Sequence, residues 1–220
     1  MITISKAWAM PSAWTFTIKP IAELLERYVG DGIGWIDPYA GDNSPAEITN
    51  DHNPERKARY HMDAELFCQQ LEGAYPGILF DPPYSYRQVS EHYRKLGKRA
   101  RSIDTSTNFY NRVMNPICDK IEIGGYAISF GWNTNGFGKN RGFEQIEILI
   151  VAHGGHHHDT LCTVEQKITK APNIPIVEAE PVSAGWFTRP ANAPPSSGSA
   201  PGQVSPVVGM HTAQMYGMMK

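Results

Sequence analysis

The chain contains 220 residues, of which 41% are hydrophobic and 19% are charged, values that are ordinary for a soluble globular protein. Its 20 Lys and Arg nearly balance its 22 Asp and Glu, which excludes a polycation such as a chromatin protein but allows a local basic surface. The three cysteines form no C-x-x-C pair, which argues against a disulfide framework or a zinc ribbon, and no apolar run reaches the roughly 18 residues that cross a bilayer.

Short apolar runs alternate with helical patterns over much of the chain. The predicted strands cover residues 34–37, 46–50, 58–62, 77–81 and 126–130. The predicted helices cover residues 20–28, 64–71, 85–96 and 107–121. This alternation predicts a parallel sheet with helices on both of its faces.

The last two predicted strands, residues 144–152 and 160–168, have no helix between them. We therefore expect them to form an antiparallel hairpin that completes a sheet of seven strands. Beyond this hairpin, residues 171–220 contain 8 Pro, 5 Gly and 5 Ser, and such a segment buries too little apolar surface to offset its ordering entropy. The sequence thus predicts one working domain, residues 1–168, followed by a mostly disordered tail, residues 169–220.

Four predicted strands end at or beside an aspartate, namely Asp37, Asp51, Asp63 and Asp81. In open parallel sheets, ligands bind outside the carboxyl ends of the strands. One such aspartate is well explained as a turn residue or a helix cap. Four in succession favour a polar binding site along one edge of the sheet.

The tetrapeptide Asp81, Pro82, Pro83 and Tyr84 directly follows an apolar strand. Its two prolines fix the backbone and remove two N–H donors, so the loop offers carbonyl acceptors in a rigid frame. Asp81 adds a carboxylate and Tyr84 adds a flat aromatic ring. Such a set is suited to recognising an exocyclic amino group on a planar base, and the alternative is a proline-rich turn with a packing tyrosine.

With this tetrad the chain resembles the S-adenosylmethionine-dependent amino-methyltransferases, particularly the adenine-specific DNA methyltransferases, whose motif is (D/N/S)PP(Y/F/W). The resemblance covers about residues 10–155. It implies a Rossmann-like class I methyltransferase fold with a seven-stranded, mostly parallel α/β sheet and S-adenosyl-L-methionine as cofactor. It also implies catalytic roles for the four tetrad residues and base flipping of adenine from double-stranded DNA.

The same resemblance implies a cofactor pocket built from three regions of the chain. Its residues are Phe16, Lys19 and Pro20 at the methionine end, the loop residues Asp37, Pro38, Tyr39 and Gly41, Asp51 at the ribose, and Asp63 at the adenine. The chain departs from the family at Asn43, where the family has a second glycine. Asn is the non-glycine residue that best tolerates the left-handed backbone region, so the loop can keep its shape.

A basic segment follows the tetrad and predicts contact with phosphates, with a solvated helix face as the alternative. Its residues are Arg87, Arg94, Lys95, Lys98, Arg99 and Arg101. The glycine-rich residues 131–142 are expected to be flexible and to close over a flipped nucleotide. The histidine-rich residues 153–159 are predicted to form the turn of the last hairpin, and no metal site is expected.

The chain is short for a DNA methyltransferase, because the segment between Asp63 and Asp81 has no room for a target-recognition domain. We therefore expect sequence recognition to come from residues 85–106 and 131–142, from a specificity partner or from dimerisation. Its size resembles that of compact enzymes of phages, mobile elements and restriction-modification systems, acting in the cytoplasm of a bacterial or infected cell. The alternatives are methylation of an amino group in RNA or protein, and a non-catalytic relative that binds cofactor or DNA.

Overall fold

A computed structural model of the protein describes residues 1–83 and 107–170. Tyr84, the six basic residues of the predicted phosphate-binding segment, the predicted helix at 85–96 and the predicted tail from residue 171 lie outside the described residues. Within the described ranges, no helix is long and apolar enough to cross a membrane.

The described residues form seven strands and three α-helices. The strands β1 to β7 are Thr3–Trp8, Ile36–Asp37, Ile48–Thr49, Tyr75–Phe80, Ile121–Gly131, Phe143–Ala152 and Thr160–Lys167. The helices α1 to α3 are Lys19–Tyr28, Ala64–Gln70 and Thr107–Cys118. Two short 3₁₀ turns, Thr15–Thr17 and Lys139–Arg141, lie before α1 and between β5 and β6.

The strands form a single sheet in the order β1-β6-β7-β5-β4-β2-β3. All neighbouring pairs are parallel except those of β7, which runs antiparallel to both β5 and β6. A mostly parallel sheet with one reversed strand supplied by the last hairpin is the Rossmann-like class I methyltransferase fold. The predicted fold class is therefore confirmed.

Two details of the predicted sheet are wrong. Residues 58–62 form no strand, and only an isolated parallel bridge joins Tyr60 to Asn50. The seventh strand is instead β1, which pairs with β6 at the edge of the sheet. Its residues are almost all exposed, so the sequence shows no buried apolar face from which this strand could be predicted.

Both faces of the central strands are covered, and their side chains alternate between two apolar cores. Leu79 of β4 packs in the core that includes α1, whereas Ile78 and Phe80 pack in the core that includes α2 and α3. Burial on both faces explains why β4 is an almost continuous apolar run. The three cysteines lie within these two cores, as expected for packing residues. The Asp81 loop therefore follows a strand that is buried on both faces.

Candidate active site

A cleft of about 610 Å³ lies at the carboxyl ends of the central strands. It is lined by side chains from the segment before α1, the loops after β2, β3, β4 and β5, and the turn between β6 and β7. Seven residues that the sequence singled out are among its lining: Pro38, Tyr39, Asp51, Asp63, Asp81, Pro82 and Pro83. The predicted polar edge of the sheet is thus a single concave site.

Asp37 is the last residue of β2, and its side chain is fully buried beneath the loop that follows. Its carboxylate accepts hydrogen bonds from the Tyr39 backbone N–H at 2.9 Å and from the Ser44 hydroxyl at 2.6 Å. Burial raises the pKa of Asp37 to about 7, and the nearby carboxylates of Asp81 and Asp51 add to this rise. Asp37 does not line the cleft, and it shapes the loop that does.

Asp51 joins the loops that follow β2 and β3. One of its carboxylate oxygens accepts a hydrogen bond from the Gly41 N–H at 3.1 Å, and the other accepts one from the Asn53 N–H at 2.7 Å. Gly41 has a φ of +57°, a left-handed conformation that favours glycine. Asn43, at the position of the missing second glycine, is exposed and does not line the cleft.

Asp63 is the N-cap of α2, and one of its oxygens accepts from the backbone N–H groups of Glu65 and Leu66 at 2.9 and 3.3 Å. Capping was the structural alternative for this residue, and capping accounts for one oxygen only. The carboxylate is exposed at the edge of the cleft. Asp63 therefore combines a structural role with a position suited to ligand contact.

Asn50 is a site residue that the sequence prediction missed. It is completely buried, and its amide donates to the Pro38 and Met62 carbonyls, both at 3.1 Å. Its side-chain oxygen accepts from the Met62 N–H at 3.0 Å. Asn50 thus fixes the loop after β2 against the segment that precedes α2. Its position immediately before Asp51 was the available signal.

Asp81 follows β4 and lines the cleft together with Thr15. Burial raises the pKa of Asp81 to about 6. The loop is supported from below by Phe80, whose ring packs edge-on against Tyr39 and Tyr110. Tyr110 of α3 also donates its hydroxyl to the Pro83 carbonyl at 2.8 Å.

Three residues predicted for the methionine end of the pocket do not line the cleft. Phe16 is buried and packs edge-on against Phe130 at 5.2 Å. The Lys19 side chain is 87% exposed and lies 3.9 Å from Glu23, and Pro20 belongs to the first turn of α1. Thr15 and Ile18 of the same segment reach the cleft instead. Contact between the three predicted residues and a cofactor stays a prediction.

The glycine-rich residues 131–142 differ from the flexible loop that was expected. Phe137 is buried, and the N–H groups of Phe137 and Gly138 donate to the buried Glu165 carboxylate. Arg141 donates to Asn111 and Asn115 of α3, which ties the second half of this segment to the helix. Buried hydrogen bonds of this kind hold the segment in place, so only its first residues face the cleft.

The histidine-rich residues 153–159 form the turn between β6 and β7, as predicted. They were not expected at the site, yet His153, His156, His157 and His158 all line the cleft. Among residues 1–83 and 107–170, no group of three or more His, Cys, Asp and Glu side chains is arranged to hold a metal ion.

The chain matches no family model and no curated protein. It is similar to solved structures of methyltransferases. TrmN from Thermus thermophilus has 15% identity and a TM-score of 0.46, with 69% of this chain and 49% of that chain covered, so the match spans about half of TrmN. The putative methyltransferase yhhF from Escherichia coli has 10% identity and a TM-score of 0.45, covering 69% and 86% of the two chains.

A third similar structure is the 1,6-didemethyltoxoflavin-N1-methyltransferase of Burkholderia thailandensis, which was solved with S-adenosylhomocysteine bound. It has 10% identity and a TM-score of 0.46, and the match covers 69% of this chain and 78% of that one. These identities and TM-scores are too low for any conclusion about this chain, and the fold class rests on the sheet topology.

Proposed function

We propose that this protein is an S-adenosylmethionine-dependent methyltransferase that modifies the exocyclic amino group of adenine in DNA. One observation carries the proposal: Asp81, Pro82 and Pro83 share a cleft with Asp51 and Asp63. The cleft thus joins hydrogen-bond acceptors suited to an amino group with the carboxylates that the family resemblance assigns to the cofactor.

The residues around Asp51 fit a nucleoside cofactor. The Asp51 oxygens each accept one backbone hydrogen bond and keep lone pairs for ribose hydroxyls. Asp63 keeps an oxygen that is not used in capping α2, and Met62 beside it supplies an apolar contact. When bound, the cofactor would supply the methyl group on its sulfonium. Pro38 and Tyr39 would enclose its other side.

The loop after β4 is suited to holding the amino group that accepts the methyl. The Pro83 carbonyl already accepts from Tyr110, and no donor among the described residues reaches the Pro82 carbonyl. Asp81 and the Pro82 carbonyl can therefore accept both N–H bonds of one amino group. Such hydrogen bonds favour a more tetrahedral nitrogen, whose lone pair is less delocalised into the ring. Holding that nitrogen in line for attack is a proximity effect.

DNA is proposed as the substrate because of the tetrad and the adjacent basic segment, which lies outside the described residues. Its six Lys and Arg would contact phosphates, and the adenine would be flipped out of the duplex. Replacing Arg94, Lys95, Lys98 and Arg99 with alanine should weaken DNA binding at all sequences alike. The slope of log affinity against log salt should fall by about 0.9 for each lost phosphate contact. A loss of sequence preference at unchanged affinity would show that these residues read bases.

The proposed activity is tested by incubating the protein with S-adenosylmethionine carrying a labelled methyl group and, in parallel, with duplex DNA, RNA and protein. Nucleoside analysis of the DNA should yield labelled N6-methyl-2′-deoxyadenosine. A labelled ribonucleoside, a labelled protein or 5-methylcytosine would show that the substrate assignment is wrong. Absence of labelled-cofactor binding would show that the methyltransferase assignment itself is wrong.

A further inference from the structure

An exposed tryptophan lines the same cleft as the loop that would hold the amino group. Trp132 directly follows β5, and it lines the same cleft as Asp81 and Pro82. Strand β5 is the parallel neighbour of β4, with Phe80 opposite Ser129. Asp81 follows the end of β4 and Trp132 follows the end of β5, so the two residues leave the sheet at neighbouring positions. The two neighbouring strand ends thus contribute an aromatic ring and the proposed amino-group acceptors to one cleft.

The indole of Trp132 is supported by the turn between β6 and β7. Its ring centroid lies 4.6 Å from that of His158, with an angle of 41° between the ring planes. The turn itself is fixed at its base by His153, which is buried and whose two ring nitrogens lie 2.9 Å from the Ala9 carbonyl and the Thr160 hydroxyl. Because a carbonyl oxygen only accepts, Nδ1 of His153 must be the donor to Ala9.

Trp132 is nevertheless 47% exposed, so about half of this residue's surface is open to solvent or to a ligand in the cleft. The indole has no role in the apolar cores. An aromatic ring that is held in position and faces a cleft offers a stacking surface for a planar ligand. Stacking of a nucleobase on an aromatic side chain contributes about 1–3 kcal/mol and depends little on which base it is.

We propose that Trp132, supported by His158, is a base-stacking residue on the acceptor side of the cleft. Its ligand is an unpaired nucleobase of a nucleic acid strand, positioned so that its amino group meets Asp81 and Pro82. This inference deepens the proposed function and rests on it. It adds a stacking contact that comes from β5 and the last hairpin, independent of the tetrad tyrosine.

The test compares Trp132→Ala and Trp132→Phe with Trp8→Ala as the matched control. Trp8 is a tryptophan that is 66% exposed and does not line the cleft. The probe is a short single-stranded DNA of mixed sequence in which 2-aminopurine replaces one adenine, and its fluorescence is followed at one fixed salt concentration. Trp132→Ala should raise the dissociation constant by about 5- to 150-fold. Trp132→Phe should retain most of the affinity, and Trp8→Ala should bind like the wild type.

Binding of labelled S-adenosylmethionine and methyl transfer by the wild type are measured alongside, so that the two hypotheses are separated. If the variants bind the probe as predicted but the wild type does not bind the cofactor, the proposed function is wrong and the stacking role stands. If the wild type transfers methyl groups and Trp132→Ala binds the probe equally well, the stacking inference is wrong. Equal losses in Trp132→Ala and Trp132→Phe, or no probe binding by the wild type, would also overturn it.

Discussion

The role of Asp81 can be tested by comparing two substitutions that remove different properties of its side chain. Asp81→Ala removes both the charge and the hydrogen-bond acceptor, whereas Asp81→Asn removes the charge and keeps an acceptor oxygen. Because Asp81 lines the cleft beside Pro82 and does not lie in either apolar core, neither change should prevent folding. Cofactor binding should persist in both variants.

The expected loss of activity follows from the hydrogen bond that is removed. A hydrogen bond from an amino group to a carboxylate contributes about 1.5–3 kcal/mol. Asp81→Ala should therefore transfer methyl groups roughly 10- to 150-fold more slowly than the wild type. Asp81→Asn should lose less, because its amide oxygen can still accept a weaker bond from the substrate.

The pH dependence distinguishes a direct role for the Asp81 carboxylate from a structural one. Burial raises the pKa of Asp81 to about 6, so the carboxylate is mostly ionised at pH 7 and becomes protonated as the pH falls below 6. A protonated carboxyl accepts a weaker hydrogen bond, and the rate of the wild type should fall on the acid side of about pH 6. Asp81→Asn cannot titrate there, so its rate should lack this fall.

The assay is transfer of a labelled methyl group to DNA across this pH range, with cofactor binding measured at each pH. Asp119→Asn serves as the matched control, since Asp119 is an exposed aspartate just after α3 that does not line the cleft. It should show the wild-type pH profile. An Asp81→Asn variant that keeps the acid-side fall, or an Asp81→Ala variant with the wild-type rate, would refute the reasoning.

Burial raises the pKa of Asp37 from 3.8 to about 7, so between about pH 4 and 7 the unfolded chain releases a proton that the folded chain keeps. The wild type should therefore lose up to about 4 kcal/mol of unfolding free energy relative to Asp37→Asn as the pH rises through this window. Urea titrations in which the difference in unfolding free energy between the two proteins does not change with pH would contradict this. Tyr110→Phe removes the hydrogen bond to the Pro83 carbonyl. This change should slow methyl transfer several-fold and lower the unfolding free energy by about 0.5–1.5 kcal/mol. Rate and urea measurements that show neither loss would exclude a role for this hydroxyl. Deleting residues 171–220 should leave the thermal midpoint and the cofactor affinity nearly unchanged, and a large fall in the midpoint would show that this segment packs on the domain.

The central strands and their aspartates could be predicted because their signals are local. An apolar run such as that of β4 followed directly by Asp81 and two prolines specifies a buried strand and a rigid loop within a few residues. The pair of long strands separated by His153 to Asp159 likewise predicts the hairpin that reverses β7. Parallel strands end at one edge of a sheet, so the pattern predicted that Asp37, Asp51, Asp63 and Asp81 would lie along one edge. The strand expected before Asp63 does not form, and this residue instead caps α2.

Contacts between distant segments could not be predicted in the same way. Strand β1 pairs with β6, which comes much later in the chain, and its large apolar residues Ile4 and Trp8 are exposed. Residues 58–62 show the opposite case. Their composition is typical of a strand, but they form only an isolated bridge to Asn50. Strand pairing depends on a partner edge being available, which is a property of the assembled sheet.

By itself, the sequence determined the alternation of strands and helices, the order of the central strands along the chain and the rigid loop that follows β4, because each depends on neighbouring residues and on strand periodicity. The class I methyltransferase fold was expected from the family resemblance. Only the tertiary structure decided which side chains support the residues that line the cleft. Tyr110 reaches Pro83 from 27 residues away, and His158 reaches Trp132 from a separate turn. Such pairs become neighbours only after helices and strands have packed, and their separation along the chain does not predict these contacts.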